Sequence, residues 1–88
     1  MHLPVLALHG FLGSGADWQP VAEQIASPMI TPDLPGQGTS VGLAEEAYTM
    51  DAAADALVAG LDARQLDRVV VAGYSMGGRL ALHFALRH

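Results

Sequence analysis

The stretch Gly73-Tyr74-Ser75-Met76-Gly77 constrains this chain more than any other. The apolar run Val69-Val70-Val71-Ala72 precedes it, and a helix-like run from Gly78 to Leu86 follows it. A G-x-S-x-G therefore sits between a strand and a helix. A turn that tight packs backbone against backbone. Glycine at 73 and 77 removes the side chains that would collide there. The strain would hold the Ser75 hydroxyl at the carboxyl edge of a sheet, with a helix N-terminus behind it. That arrangement points to nucleophilic or acid–base chemistry at Ser75.

The remaining sequence reads as alternating strands and helices. Val5-Leu6-Ala7-Leu8 is a short buried strand ended by His9-Gly10, and Phe11 to Gly15 is a glycine-rich loop. Asp17 is the expected N-cap of a first helix, in which Trp18, Val21, Ala22 and Ile25 recur at helical spacing. Pro20 falls in its first turns, where proline is tolerated, and Ser27-Pro28 breaks it. Met29-Ile30-Thr31-Pro32 is a second extended segment ending at Asp33, and Leu34 to Gly42 is a loop. Thr49 or Asp51 caps the next helix, with Ala52, Ala53, Ala56, Leu57, Gly60 and Leu61 as its apolar face. Leu66-Asp67 turns into a strand Arg68–Gly73, and the last helix starts near Met76.

The order β-α-β-α-β-α implies a parallel sheet with right-handed crossovers and helices on both faces. The expected class is α/β, a three-layer α/β/α arrangement with about three strands and three helices. Three strands would leave two open edges and incompletely covered faces, so residues 1–88 are expected to be the N-terminal portion of a single domain.

Composition excludes several function classes. At 51% hydrophobic, the chain is built to pack a core. A net charge of −5, with 4 basic residues that are all arginine, leaves no electrostatic footprint for nucleic acid. No basic amphipathic face suggests a membrane surface, and no apolar run approaches the ~20 residues of a membrane-spanning helix. Met1-His2-Leu3-Pro4 has neither a charged n-region nor a cleavage site, so a cytoplasmic location is expected. There is no cysteine, and no metal-ligand cluster, dinucleotide fingerprint or P-loop, so neither metal nor cofactor is expected.

Three motifs follow the three strands in order: His9-Gly10-Phe11, then Asp33-Leu34-Pro35-Gly36-Gln37-Gly38-Thr39-Ser40 in the pattern D-x-x-G-x-G-x-S, then Gly73 to Gly77. Together they resemble the α/β-hydrolase superfamily from about Val5 to His88. The resemblance implies that these strands are the third, fourth and fifth of eight, side by side at the sheet centre. Within the superfamily, Gly73-Tyr74-Ser75-Met76-Gly77-Gly78-Arg79 is similar to the SHCHC synthases of menaquinone biosynthesis. Those enzymes share H-G-F-x-G with a downstream tryptophan (here Trp18) and D-L-P-G-x-G-x-S. One departure is Gln37, where relatives usually carry histidine.

The resemblance implies a pyruvate-eliminating lyase acting on an anionic substrate with a Ser-His-Asp triad. Ser75 is the catalytic candidate, against the reading of a serine that merely caps a helix. As the residue after the nucleophile, Met76 supplies one backbone N–H to an oxyanion hole, and by resemblance Phe11 supplies the other. By resemblance too, Arg79 holds a substrate carboxylate and Tyr74 lines the pocket. Their plainer readings are an ion pair and a packed strand residue. His9 resembles the family's structural histidine, which orders the oxyanion loop. His83 and His88 lie too far along the last helix to reach Ser75, and His2 is terminal. Trp18 is expected in helix-to-sheet packing, and Asp33 is expected to order its own loop rather than serve as triad acid. The triad acid and histidine are expected beyond His88. The 88-residue chain alone is then inactive, unless a complementary C-terminal segment joins it. The alternatives are a carboxylesterase or thioesterase acting by acyl transfer, and a catalytically inactive fragment. The expected partner is a small molecule, which the resemblance to the synthases makes anionic.

Overall fold

The structure, a computed structural model, describes residues 3–35 and 49–88. The expectations placed on His2 and on Gly36 to Gly42, Gln37 included, lie outside the described residues.

Strand β1 spans Val5–Leu8, β2 Met29–Ile30 and β3 Val70–Gly73. They form one parallel sheet in the order β2-β1-β3. Leu6 faces Ile30 on one side and Val71 on the other, and Leu8 faces Gly73. The middle strand is sealed, with Leu6, Ala7 and Leu8 all buried, whereas Val70 of β3 is half exposed. A continuous apolar run is what a strand covered on both faces requires.

The helices are α1 (Gln19–Ala22), α2 (Met50–Ala63) and α3 (Met76–Arg87). Helix α2 starts at Thr49, whose Oγ1 accepts the Ala52 N–H at 3.0 Å. Such a cap stabilises a helix by about 1 kcal/mol. Its buried stripe is Ala53, Ala54, Leu57 and Leu61. Ala56 and Gly60, expected on that face, are exposed. The helix ends in a Schellman motif: Gln65 N–H reaches Asp62 C=O at 2.9 Å and Leu66 N–H reaches Leu61 C=O at 3.0 Å. Gln65 supplies the left-handed residue, at φ 58°.

Leu57, Leu61 and Ala54 pack with Leu6, Leu8, Leu34 and Leu80 into the core, and Phe84 and Ala81 of α3 close it. Each buried leucine contributes roughly 1.5–3 kcal/mol through removal of apolar surface from water. Helices α2 and α3 run parallel, because successive cross-links keep one sequence offset. Asp51 pairs with His83, and Asp55 with Arg87, each 32 residues apart.

Two expected elements are shorter than the sequence suggests. The third strand begins at Val70 rather than Arg68, which is exposed. The first helix is a 3-10 turn, Gly15–Trp18, running into the single turn of α1. Ser14, not Asp17, is its N-cap. Asp17 sits three residues in and reaches back, its carboxylate accepting the Ser14 N–H at 3.2 Å. Val21 and Ile25 are exposed. Helical spacing alone therefore overstated how far this segment is helical and buried.

Candidate active site

The sheet topology fixes where a site can form. From β1 the chain crosses α1 to β2, then returns through α2 to β3 on the other side of β1. With right-handed crossovers, those two connections must cover opposite faces of the sheet. The loops after β1 and β3 therefore diverge from neighbouring strand ends and leave a crevice at the carboxyl edge. Ligands of open α/β sheets bind at such a switch point. Both strands end level, with Leu8 opposite Gly73, and the Tyr74 N–H donates to Leu8 C=O at 3.0 Å.

At the end of β3 the chain turns straight into α3. Ser75 is the N-cap residue of that helix, at φ 54° and ψ −110°. A positive φ on a residue with a Cβ is strained and persists only where its surroundings dictate it. Here the surroundings are backbone. A Cβ on Gly73 would lie 2.5 Å from Gly77 O and 2.7 Å from Gly78 Cα. A Cβ on Gly77 would run into the carbonyl groups of Leu8 and His9. The helix start is thus pressed directly onto the end of β1, and Gly77 is buried. Gly77 N–H closes the turn on Tyr74 C=O at 2.9 Å.

Ser75 opens onto a depression of about 560 Å³ lined by Phe11, Met50, Met76 and Arg79. Met76, first residue of α3, carries one of the N–H groups that a helix leaves without an internal acceptor. Phe11 lies in the loop after β1 and is 67% exposed. Arg79 N–H donates to Ser75 C=O at 3.1 Å, one turn along the helix, so both residues project from the same face. Among the described residues no carboxylate pairs with Arg79. Met50 was not singled out by its sequence. It reaches the depression because Thr49 starts α2 beside α3, a juxtaposition that only the fold supplies.

Tyr74 stands elsewhere. It is 70% exposed and lines a separate cavity of about 250 Å³ with His9, Gly10, Asp17, Trp18 and Val21. Trp18 is half-buried there. His9 is buried, at 1% exposure, and both ring nitrogens are engaged. Nε2 accepts the Leu34 N–H at 2.9 Å, which leaves the proton on Nδ1 to be donated to Gly10 C=O at 2.8 Å. The ring thereby ties the loop after β1 to the segment after β2. Asp33 makes a parallel tie, its carboxylate accepting the Gly15 N–H at 2.7 Å. It anchors the first loop; the glycines of its own loop are outside the described residues. His83 and His88 are engaged with Asp51 and Asp55 along the α2–α3 seam. Among the described residues neither a histidine nor a carboxylate lines the depression at Ser75.

Comparison with known proteins gives this geometry a context. A family model described as alpha/beta hydrolase fold matches residues 4–88. The 2-succinyl-6-hydroxy-2,4-cyclohexadiene-1-carboxylate synthase of Yersinia pestis (strain Pestoides F) is 43% identical over 79 residues, 89% of this chain and 28% of the relative. Among solved structures, MenH from S. aureus superposes with a TM-score of 0.82 at 33% identity, covering 94% of this chain and 32% of that one. A marine microorganism esterase superposes with a TM-score of 0.89 at 27% identity, covering all of this chain and 34% of that one. The chain thus spans 28–34% of the length of these relatives. No described helix is long and apolar enough to cross a membrane.

Proposed function

Because the chain belongs to the alpha/beta hydrolase fold family, we propose that Ser75 is the catalytic serine of an enzyme most like the 2-succinyl-6-hydroxy-2,4-cyclohexadiene-1-carboxylate synthases. The observation that carries this reading is the strained Ser75 backbone, held at a switch-point crevice and opening onto the same depression as Phe11, Met76 and Arg79. In the reaction implied by that resemblance, a proton leaves a carbon of the substrate and a C–O bond breaks to release pyruvate. Ser75, its own proton held by a histidine, removes the substrate proton. The backbone N–H groups of Phe11 and Met76 stabilise the negative charge that develops, each contributing about 3–4 kcal/mol to the barrier reduction. Arg79 holds a substrate carboxylate by a charge-assisted hydrogen bond. The histidine and the acid that orients it come from outside the described residues, so the proposal concerns the full-length protein that carries this segment.

The likeness to an esterase supports a second reading, acyl transfer by Ser75 with the same two N–H donors. Arg79 separates the two. In the full-length protein, Ser75→Ala should lower kcat by roughly 10⁴–10⁶ under either reading. Arg79→Ala should raise KM for a carboxylate-bearing substrate roughly 10- to 100-fold, as loss of one charged hydrogen bond does. Turnover of a neutral ester that is insensitive to Arg79→Ala, with no lyase activity in the parent, would select the esterase. Full activity in Ser75→Ala would overturn both.

A further inference from the structure

Met50 belongs to two cavities. It lines the depression at Ser75, and it also lines an apolar cleft of about 80 Å³ behind it, with Leu34, Pro35, Thr49, Ala53, Met76 and Leu80. Among the described residues Met50 and Met76 are the two common to both, and they stand between the depression and the cleft. We infer that Met50 is a specificity-determining residue of the Ser75 site, the movable partition that sets how large an apolar group a substrate carries beside the reacting centre. The inference rests on the reading of Ser75 given above and names the substrate class of that site.

Three observations carry it. The described lining of the cleft is apolar apart from Thr49, whose hydroxyl oxygen accepts the Ala52 N–H, and Leu34, Ala53 and Leu80 are core residues. Arg79 lines the depression and not the cleft. A ligand spanning the site would set an anionic group at Arg79, its reacting atom at Ser75 and an alkyl or cycloalkyl group towards Met50. Finally, the Met50 backbone is held between bonded neighbours while the residue stays partly open to solvent. Thr49 caps the helix before it, the Asp51 carboxylate is bonded to His83 after it, and Met50 is 38% exposed. An unbranched thioether arm with several rotatable bonds suits a gap of variable size. Met76 is the less separable half of the wall, because its backbone N–H faces the reaction.

The test uses the full-length protein and two serine-directed probes, ethyl 4-nitrophenyl methylphosphonate and its butylphosphonate homologue. Attack of Ser75 Oγ on phosphorus displaces 4-nitrophenolate, and the serine proton passes to the histidine. The rate of nitrophenolate release gives one inactivation constant per probe, and the mass of the adduct places it on Ser75. Met50→Ala should raise the butyl-to-methyl ratio about tenfold, the change expected from moving roughly two methylenes out of water into an apolar cleft. Met50→Leu, which keeps the wall, should leave the ratio within about twofold. If Met50→Ala does not fold, Met50→Val reads the same ratio with a shorter arm. An unchanged ratio in the folded truncated variant, with Ser75 still labelled, overturns the partition alone. A parent protein that neither probe labels, or a Ser75→Ala variant that both still label, overturns the reading of Ser75 and this inference with it.

Discussion

Two loops leave the sheet side by side, after β1 and after β3, and they are held by different kinds of contact. The elbow after β3 is fixed by backbone meeting backbone, with Gly77 against the carbonyls of Leu8 and His9. The loop after β1 is tied mainly by side chains, with His9 bonded to Leu34 and Gly10 and Asp33 bonded to Gly15, and it meets backbone where it ends, Gly15 against the Thr31 carbonyl. Steric exclusion admits no partial substitute, whereas hydrogen bonds are lost one at a time. The difference suits their proposed tasks. A nucleophile must stay in one place, while a loop that offers an N–H and an exposed Phe11 can tolerate adjustment.

The comparison can be broken at its rigid end first. Gly77→Ala drives a Cβ into the end of β1 and should cost about 4 kcal/mol or more, the range reserved for the most disruptive substitutions. Chemical denaturation reads it, and a loss under 1 kcal/mol would show that the elbow can yield. His9→Ala should cost about 3 kcal/mol, since it leaves the Leu34 N–H and the Gly10 C=O unpaired and opens a cavity. In the full-length protein it should also lower kcat more than it raises KM, because the loop after β1 loses its tie. An unchanged kcat would mean that Asp33 alone holds that loop.

A smaller effect sharpens the point about strain. Gln65 and Ser75 share a left-handed backbone, at φ 58° and 54°. At Gln65 only the Schellman geometry asks for it, so Gln65→Gly should stabilise by about 0.5–1 kcal/mol, seen as a rise in melting temperature. The same relief at Ser75 would remove the hydroxyl to which the proposed function assigns the chemistry.

The smallest effect lies on the α2–α3 seam. The Arg87 guanidinium, and after it His88, hold the Asp55 carboxyl down from 3.8 to about 2. A depressed folded-state value means stabilisation that is complete above 3.8 and is lost as pH falls through about 2. Asp55→Asn should therefore flatten the acid limb of the stability curve between those values and leave it unchanged near neutrality in shape. The pair is exposed and screened by solvent, so the change in slope is slight.

The sequence made the sheet and the elbow legible because their signals are local. Val5 to Leu8 and Val69 to Gly73 are apolar runs bounded by glycine, and the G-x-S-x-G spacing can close only one kind of turn. Alternation of elements then dictated parallel pairing. The first helix misled because Val21 and Ile25 share a helical spacing with Trp18 yet are exposed, and Trp18 alone of the three is half-buried. Only one of the two candidate caps of α2 could be right, and which one depended on whether Thr49 Oγ1 or the Asp51 carboxylate reached a backbone N–H. Asp51 is instead occupied by His83. Met50 was illegible for a different reason: nothing in its neighbours along the chain indicates that α2 begins beside Ser75. The anchoring of the first loop by Asp33 was hidden in the same way, since the bond spans 18 residues.

The contact between Gly77 and the end of β1 also bears on descent. The atoms that place Ser75 are main-chain atoms, which every substitution leaves in the sequence, and two glycines that admit almost none. The side chains around the depression, Phe11, Met50 and Arg79, are exposed and take no part in that contact. Under the proposed function, lineages that share this elbow can therefore exchange one substrate for another by altering the rim, while inheriting the serine intact.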